Sequence, residues 1–215
     1  MRSVRGYTCV QLFVALFADF LWVKCLRRES QVPGVYSDFV NEVGAPNELL
    51  TDNSKVQSGE RFVKIDRKNQ TKHNYSSPHC QNQNPAERRI QDVKHRSILV
   101  LFAANAPLVF WCYCVEFIVE CLNHTSKVKL KNKTPEEVMN SNTPDISVFR
   151  FEFWQPIEYL DPNVKFPGCK WKPGRFIRIA RKHGDPFTYK VWTEPEDGDG
   201  RRVGSLLEML FAHAR

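Results

Sequence analysis

The stretch Pro78-His79-Cys80-Gln81-Asn82-Gln83-Asn84-Pro85-Ala86-Glu87-Arg88-Arg89-Ile90 decides how the rest of the chain is read. Its first half is a polar loop of amides with no apolar anchor. Its second half opens a helix. Asn84 is a good N-cap residue, Pro85 suits the first helical position, and Glu87 follows three residues after the cap. Upstream, Asn47 to Thr51 reads as a short strand that delivers Asp52 at its C-terminal end. Between Asp52 and Glu87 lie 34 residues.

A strand-end aspartate and a helix-start glutamate are the parts that a Mg²⁺-dependent phosphoryl-transfer site uses. Mg²⁺ prefers carboxylate oxygens and keeps several waters. Two such ions activate a water or a 3′-hydroxyl and stabilise the leaving oxygen, with one carboxylate bridging both ions. Plainer readings stand beside this one. Glu87 is also where a capping box places a glutamate, and Asp52 is also a turn residue in Thr51-Asp52-Asn53.

Bulk properties narrow the class. The chain has 215 residues, enough for one domain with a small appendage. With 42% hydrophobic residues it can bury a sizeable core. A net charge of +7 suits an acidic polymer as partner, nucleic acid or an anionic surface. Seven cysteines, with no Cys-x-x-Cys pair, read as reduced thiols of an intracellular protein, nuclear or cytoplasmic and not secreted. His79-Cys80 has no second pair to complete a zinc site.

Two apolar runs imitate membrane segments. The first, Cys9 to Val23, is interrupted by Gln11 and Asp19. The second, Ile98 to Leu122, carries Asn105, Pro107, Glu116 and Glu120, each costly in lipid. Both read as soluble core, so no membrane partner is expected. Asn-x-Ser/Thr sequons at Asn69, Asn74, Asn123 and Asn132 matter only in a secreted chain.

Along the chain, Tyr7 to Phe17 reads as a strand buried on both faces, and Leu21 to Leu26 as a strand pairing back onto it. The linking Ala18-Asp19-Phe20 is a poor turn that lacks the expected Gly or Asn. Ser30 is positioned to cap a helix with Pro33 in its first turn and a buried face of Tyr36, Phe39, Val40 and Val43. Gly44 stops it. Gly59 to Lys68 predicts a short helix and Lys72 to Ser76 a short strand. The helix from Pro85 has a stripe of Ile90, Val93 and Val100 and breaks at Asn105-Ala106-Pro107. The next helix presents Trp111, Val115, Ile118 and Leu122. Thr134-Pro135-Glu136-Glu137 starts another. Beyond Asn142 the texture turns strand-like, over Val148–Leu160 and Arg175–Val191. The acidic run Glu194 to Gly200 has Arg201 where a calcium loop needs a ligand.

Five tracts together resemble the integrase regions of copia-type LTR retrotransposons: Arg5–Phe13, Val43–Asn53, His79–Lys94, Lys133–Val138 and Asn142–Ser147. They follow one another in the order found in that family. The resemblance implies an α/β fold, a ribonuclease-H-like mixed sheet flanked by helices, over residues 1–146. A small β-rich C-terminal module over 147–215 would follow. It implies DNA integration by 3′-end processing and strand transfer, on element ends and target DNA, by a homo-oligomer. It makes Asp52 and Glu87 the second and third catalytic acids and the ligands of Mg²⁺, with Mn²⁺ as a substitute. Asn53, His79, Gln81 and Gln83 are then candidates for contacts to DNA, and Arg88, Arg89 and Lys94 for contacts to phosphates; otherwise they are ordinary loop and solvated helix residues.

The same resemblance places the first acid on a strand just before Arg5–Phe13, ahead of Met1. Asp19 is the nearest substitute, but it sits in a turn, with only 32 residues between it and Asp52. A truncated, catalytically incomplete core is therefore expected. The alternative is a DNA-binding protein that keeps only the fold.

Overall fold

The protein is described by a computed structural model over residues 1–51, 59–76, 85–161, 163–181, 185 and 187–193, and by backbone alone over 205–209 and 212–214. Strands β1 (Cys9–Ala15) and β2 (Phe20–Leu26) form an antiparallel hairpin, in register from Cys9 opposite Leu26 to Ala15 opposite Phe20. The first strand is shorter than its apolar run predicts, because the chain turns at Leu16 and leaves Leu16 and Phe17 exposed. Asp19 completes that turn in a left-handed conformation, φ 51°, which is unusual for a residue other than glycine, asparagine or aspartate.

Helix α1 spans Val32–Val43. Ser30 does not cap it. A short 3₁₀ turn, Glu29–Gln31, intervenes, and the Gln31 side chain reaches back to accept the Arg27 and Arg28 amides at 2.9 and 3.1 Å. The helix ends at Gly44, whose positive φ suits glycine. Its buried face is Val32, Val35, Tyr36 and Phe39, displaced one turn towards the N-terminus from the predicted stripe.

Strand β3 (Glu48–Thr51), helix α2 (Glu60–Lys68) and strand β4 (Lys72–Tyr75) form a right-sized crossover unit. β3 and β4 pair in parallel, Glu48 opposite Lys72 through Thr51 opposite Tyr75. The mixed sheet is thus present as two pairs, one antiparallel and one parallel. One apolar cluster spans both. Phe13 stacks on Phe39 with ring centroids 4.6 Å apart, Tyr36 stacks on Phe62 at 4.5 Å, and Leu49 and Ile65 join the same cluster.

The opposite face of the hairpin is covered by α3 (Pro85–Ala103) and α4 (Trp111–Asn123), separated by the break at 104–110. Val93, Ser97 and Leu101 are the buried residues of α3. α4 is apolar nearly all round, the mark of a helix enclosed on more than one side. The hairpin packs on one side of it through Leu12, Leu21 and Cys25. The C-terminal sheet packs on another, where Phe117 meets the rings of Phe153 and Phe176. Asn123 completes the junction, accepting the Leu21 amide at 2.9 Å and donating to the Leu21 carbonyl at 2.7 Å. Within the Ile98–Leu122 run α4 is protein core, whereas Ile98, Leu99, Phe102, Leu108 and Val109 are exposed, so only part of the run is buried as expected. No helix among the described residues is long and apolar enough to cross a membrane.

Helix α5 (Pro135–Asn140) is capped as predicted, the Thr134 hydroxyl accepting the Glu137 amide at 3.0 Å. Beyond it lie β5 (Pro156–Leu160), β6 (Trp171–Ile179), β7 (Tyr189–Thr193), β8 (Ser205–Met209) and β9 (Ala212–Ala214). They form one antiparallel sheet in the order β8-β7-β6-β5-β9. Ion pairs tie this sheet to α4: Arg178 bonds Glu116, and Arg181 bonds Glu120 at 2.7 Å.

Candidate metal and nucleic-acid site

Parallel strands gather ligands at their C-terminal ends, where side chains leave the sheet. Thr51 is that end in β3, and its carbonyl accepts the Ser76 amide just past β4. Asp52 and Asn53 follow directly but lie outside the described residues, as do His79, Gln81 and Gln83 on the loop.

What fixes the strand end is a buried relay that the sequence did not announce. The Thr51 hydroxyl lies 2.7 Å from His73 Nε2, and His73 Nδ1 lies 2.7 Å from Asp66 Oδ2. Tyr36 donates to the other Asp66 oxygen at 2.8 Å. Thr51 and Asp66 are both buried. With Nδ1 facing a carboxylate, that nitrogen carries the proton and Nε2 accepts from the threonine hydroxyl. Burial, and then the bond to Asp66, hold the Tyr36 phenol well above its ordinary range. The relay joins α1, α2, β4 and β3, so it anchors the residue that leads into Asp52.

Glu87 stands in the first turn of α3, half-buried. A helix N-terminus favours a negative charge. Its carboxylate makes no hydrogen bond or ion pair with another described residue. Arg88 and Lys94 are exposed and face solvent.

Arg89 is engaged differently from an open phosphate contact. One of its guanidinium nitrogens donates to both oxygens of Asp19, at 2.6 and 2.5 Å. Lys127 and Lys129 reach the same carboxylate at 2.7 and 2.9 Å. Burial alone would raise the Asp19 pKa; hydrogen bonds from Lys127, Lys129 and Arg89 outweigh it and hold the group below the usual carboxylate value. Burial also lowers the Lys127 pKa, against the pull of Asp19. Three cations on one carboxylate leave an excess of positive charge beside the start of α3. Nothing in the spacing of Asp19 signals this. The alternate lysines 127, 129, 131 and 133 are the only local hint.

Among the described residues, no group of three or more His, Cys, Asp or Glu side chains is placed to hold a metal. Glu87 supplies one carboxylate, and one or two suffice when substrate phosphates complete the shell of a Mg²⁺ ion. A two-metal set needs a further bridging acid. Asp19 does not provide it, because its oxygens are spent on three cations. The described donors do not make up a two-metal centre.

No protein-family model and no curated protein matches the sequence. Solved structures do. A chain of the simian T-cell lymphotropic virus intasome in complex with the PP2A regulatory subunit B56 gamma matches over all of this chain and 74% of its own length, TM-score 0.55, 12% identity. The HTLV-2 integrase catalytic core domain in complex with magnesium matches 65% of this chain, and 89% of its own length is covered, TM-score 0.51, 17% identity. The BIV integrase catalytic core domain matches 66% of this chain, with 90% of its own length covered, TM-score 0.51, 16% identity. The chain thus has the fold of a retroviral integrase core, a ribonuclease-H-like α/β arrangement followed by a small β module.

Proposed function

We propose that this chain is a DNA integrase core of the copia type whose described residues lack a bridging acid, and that it binds DNA without joining DNA ends. The observation that carries the reading is the pairing of β3 with β4 in parallel, which presents the position before Asp52 at a strand end, together with a Glu87 in the first turn of α3 that has no side-chain partner among the described residues. In this reading residues 1–146 are the core and 147–215 the appended module. The protein acts in the nucleus as a homo-oligomer. Asp52 and Glu87 would hold Mg²⁺, which supplies charge neutralisation at a phosphate when bound. Arg88 and Lys94 contact phosphates from the exposed side of α3, and Asn53, His79, Gln81 and Gln83 contact DNA ends.

The described strands of the core form two separate pairs. β1 is paired only with β2 and β3 only with β4 among the described residues, and one apolar layer under α1 and α2 serves both pairs. A strand between β1 and β3 would join the two pairs into one sheet and could carry an aspartate to the neighbourhood of Asp52. Asp19 is no substitute, being buried under Arg89, Lys127 and Lys129.

The test is a strand-transfer assay with Mg²⁺ and with Mn²⁺, on the chain as given and on the chain extended by an aspartate-bearing strand. Silence before extension and joining after it is the expected result. Joining by the chain as given, abolished by Asp19→Asn, would make Asp19 the first acid and overturn the reading. Joining unaffected by Asp19→Asn would overturn the whole assignment. A second reading, a non-catalytic DNA-binding protein keeping only the fold, is favoured by the neutralised state of Asp19. It predicts DNA binding with no joining in either form.

A further inference from the structure

We propose that the cleft bounded by α4, α5 and the end of β6 is a recognition site for a guanidinium group, as carried by an arginine side chain of a partner segment. The cleft has a volume of about 430 Å³, within the range of sites that take a small ligand or a single anchoring side chain. Its described lining does not include Glu87, and the inference stands whether or not the chain binds DNA.

Two oxygens argue for a missing cation. Glu120 is 5% exposed, and Glu136 is half-buried; both line the cleft. The Oε2 atom of each is shielded from water and has no hydrogen-bond partner among the described residues. A buried carboxylate oxygen without a donor costs more than an ordinary lost hydrogen bond, because the group is charged. The other oxygen of each is in use. Glu120 Oε1 accepts from Arg181 Nε at 2.7 Å, and Glu136 Oε1 accepts from Asn140 Nδ2 at 2.7 Å. The terminal torsion of a glutamate is broad, so either free oxygen can swing into the cleft when a donor arrives.

The charge is local and opposite to that of the chain. Glu120, Glu136 and Asp145 face the cleft against the single cation Arg181 among its described lining, in a protein of net charge +7. A bare metal ion fits poorly, since no three such donors converge among the described residues. A planar fork of N–H donors fits better, because it serves two separated carboxylates at once. Arg181 already holds one oxygen of Glu120 through its Nε. Pro144 and Val148 provide an apolar wall for the methylene stem of an arginine.

The test uses the full chain and blocked arginine, Nα-acetyl-arginine amide, followed by calorimetry and by the NMR signals of His124, which lines the cleft and whose Nδ1 is held by the Glu120 carbonyl at 2.8 Å. Saturable binding that shifts His124 is expected. The citrulline analogue, equal in shape but uncharged, should bind at least about tenfold more weakly, the loss of one charge-assisted contact. Glu136→Gln should weaken blocked arginine by a similar factor while leaving the melting temperature of the free protein unchanged. Glu120→Gln is the second variant, read by the same signals if it remains folded. A short arginine-containing peptide binding more tightly than blocked arginine identifies a protein segment as the source; equal binding identifies a small guanidinium compound. Equal response to citrulline, no shift of His124, or the same shift produced by Mg²⁺ alone would each overturn the proposal.

Discussion

Arg89 on α3 and Asp19 at the hairpin turn form a two-pronged ion pair across 70 positions of sequence, 2.6 and 2.5 Å from one nitrogen to the two oxygens. It ties the opening of the helix that carries Glu87 to the tip of the first two strands. The left-handed backbone of Asp19 is held in place by the same three cations that neutralise it.

Asp19→Asn should therefore lower stability by about 2 kcal/mol at neutral pH, less than a fully buried pair because Arg89 and Lys129 can turn to water. Equilibrium urea unfolding checks this. The pH dependence has a defined sign. A carboxyl whose folded pKa is depressed contributes fully above its ordinary value and loses that contribution as pH falls through the folded pKa. The ordinary value is 3.8, so the difference between wild type and Asp19→Asn should hold from neutral pH down to that point and shrink below it. A difference that grows in acid would refute the role given to Asp19.

Charge reversal separates Arg88, Arg89 and Lys94 on α3. Arg88→Glu and Lys94→Glu should weaken DNA binding and reduce the slope of log affinity against log salt by about one unit each. Their melting temperatures should stay close to wild type, since both side chains are exposed. Arg89→Glu should instead lower the melting temperature, because it sets a second carboxylate against Asp19. Fluorescence anisotropy across a salt series, paired with thermal melts, reads both effects.

The relay behind Thr51 gives a third expectation. His73→Phe keeps the stacking with Tyr75, whose ring lies 4.3 Å from His73, but removes the donor to Asp66. Leaving that buried carboxylate short of a partner should cost about 3 kcal/mol. Tyr36→Phe removes only one neutral donor and should cost about 1–2 kcal/mol. The double variant Tyr36→Phe/Asp66→Asn should cost less than the two single changes summed, because they share a network.

A fourth concerns α4 and the sheet that follows it. Their shared core makes them one cooperative unit, so far-UV ellipticity and the fluorescence of Trp154 and Trp192 should report a single coincident transition. Phe176→Ala, at a fully buried ring, should cost about 3–5 kcal/mol and shift both signals together. Separate transitions would mean that residues 147–215 unfold on their own.

Much of the α/β core was legible because its stops and starts are local. Gly44 and Gly59 bound α1 and α2, Pro107 marks the break before α4, and the Thr134 hydroxyl caps α5. Each works through the backbone of its near neighbours, and the order of elements follows. The remainder depends on distant partners. The Ala18-Asp19-Phe20 turn looks poor in isolation because Arg89, Lys127 and Lys129 stabilise it rather than a glycine. Ser30 gives a correct local signal for a cap that Gln31 pre-empts. The Thr51–His73–Asp66–Tyr36 relay links residues as far as 30 positions apart, with no periodic trace. The spacing of Asp52 and Glu87 pointed to the right fold, yet the use of Arg89 became visible only with Asp19 beside it. The C-terminal strands were foreseeable as strands, but not their seat on α4.

Asn123 has one more consequence, for how the chain would be read inside a secretory pathway. Its sequon is intact in sequence, yet its amide is 4% exposed and both ends of that amide are spent on Leu21. An oligosaccharyl transferase meeting the folded protein finds no acceptor there. If this residue were ever found to carry sugar, the modification must have preceded folding, and the hairpin could no longer close against α4. The Asn123 sequon therefore serves as a folding reporter: its occupancy counts the molecules that never reached the native state.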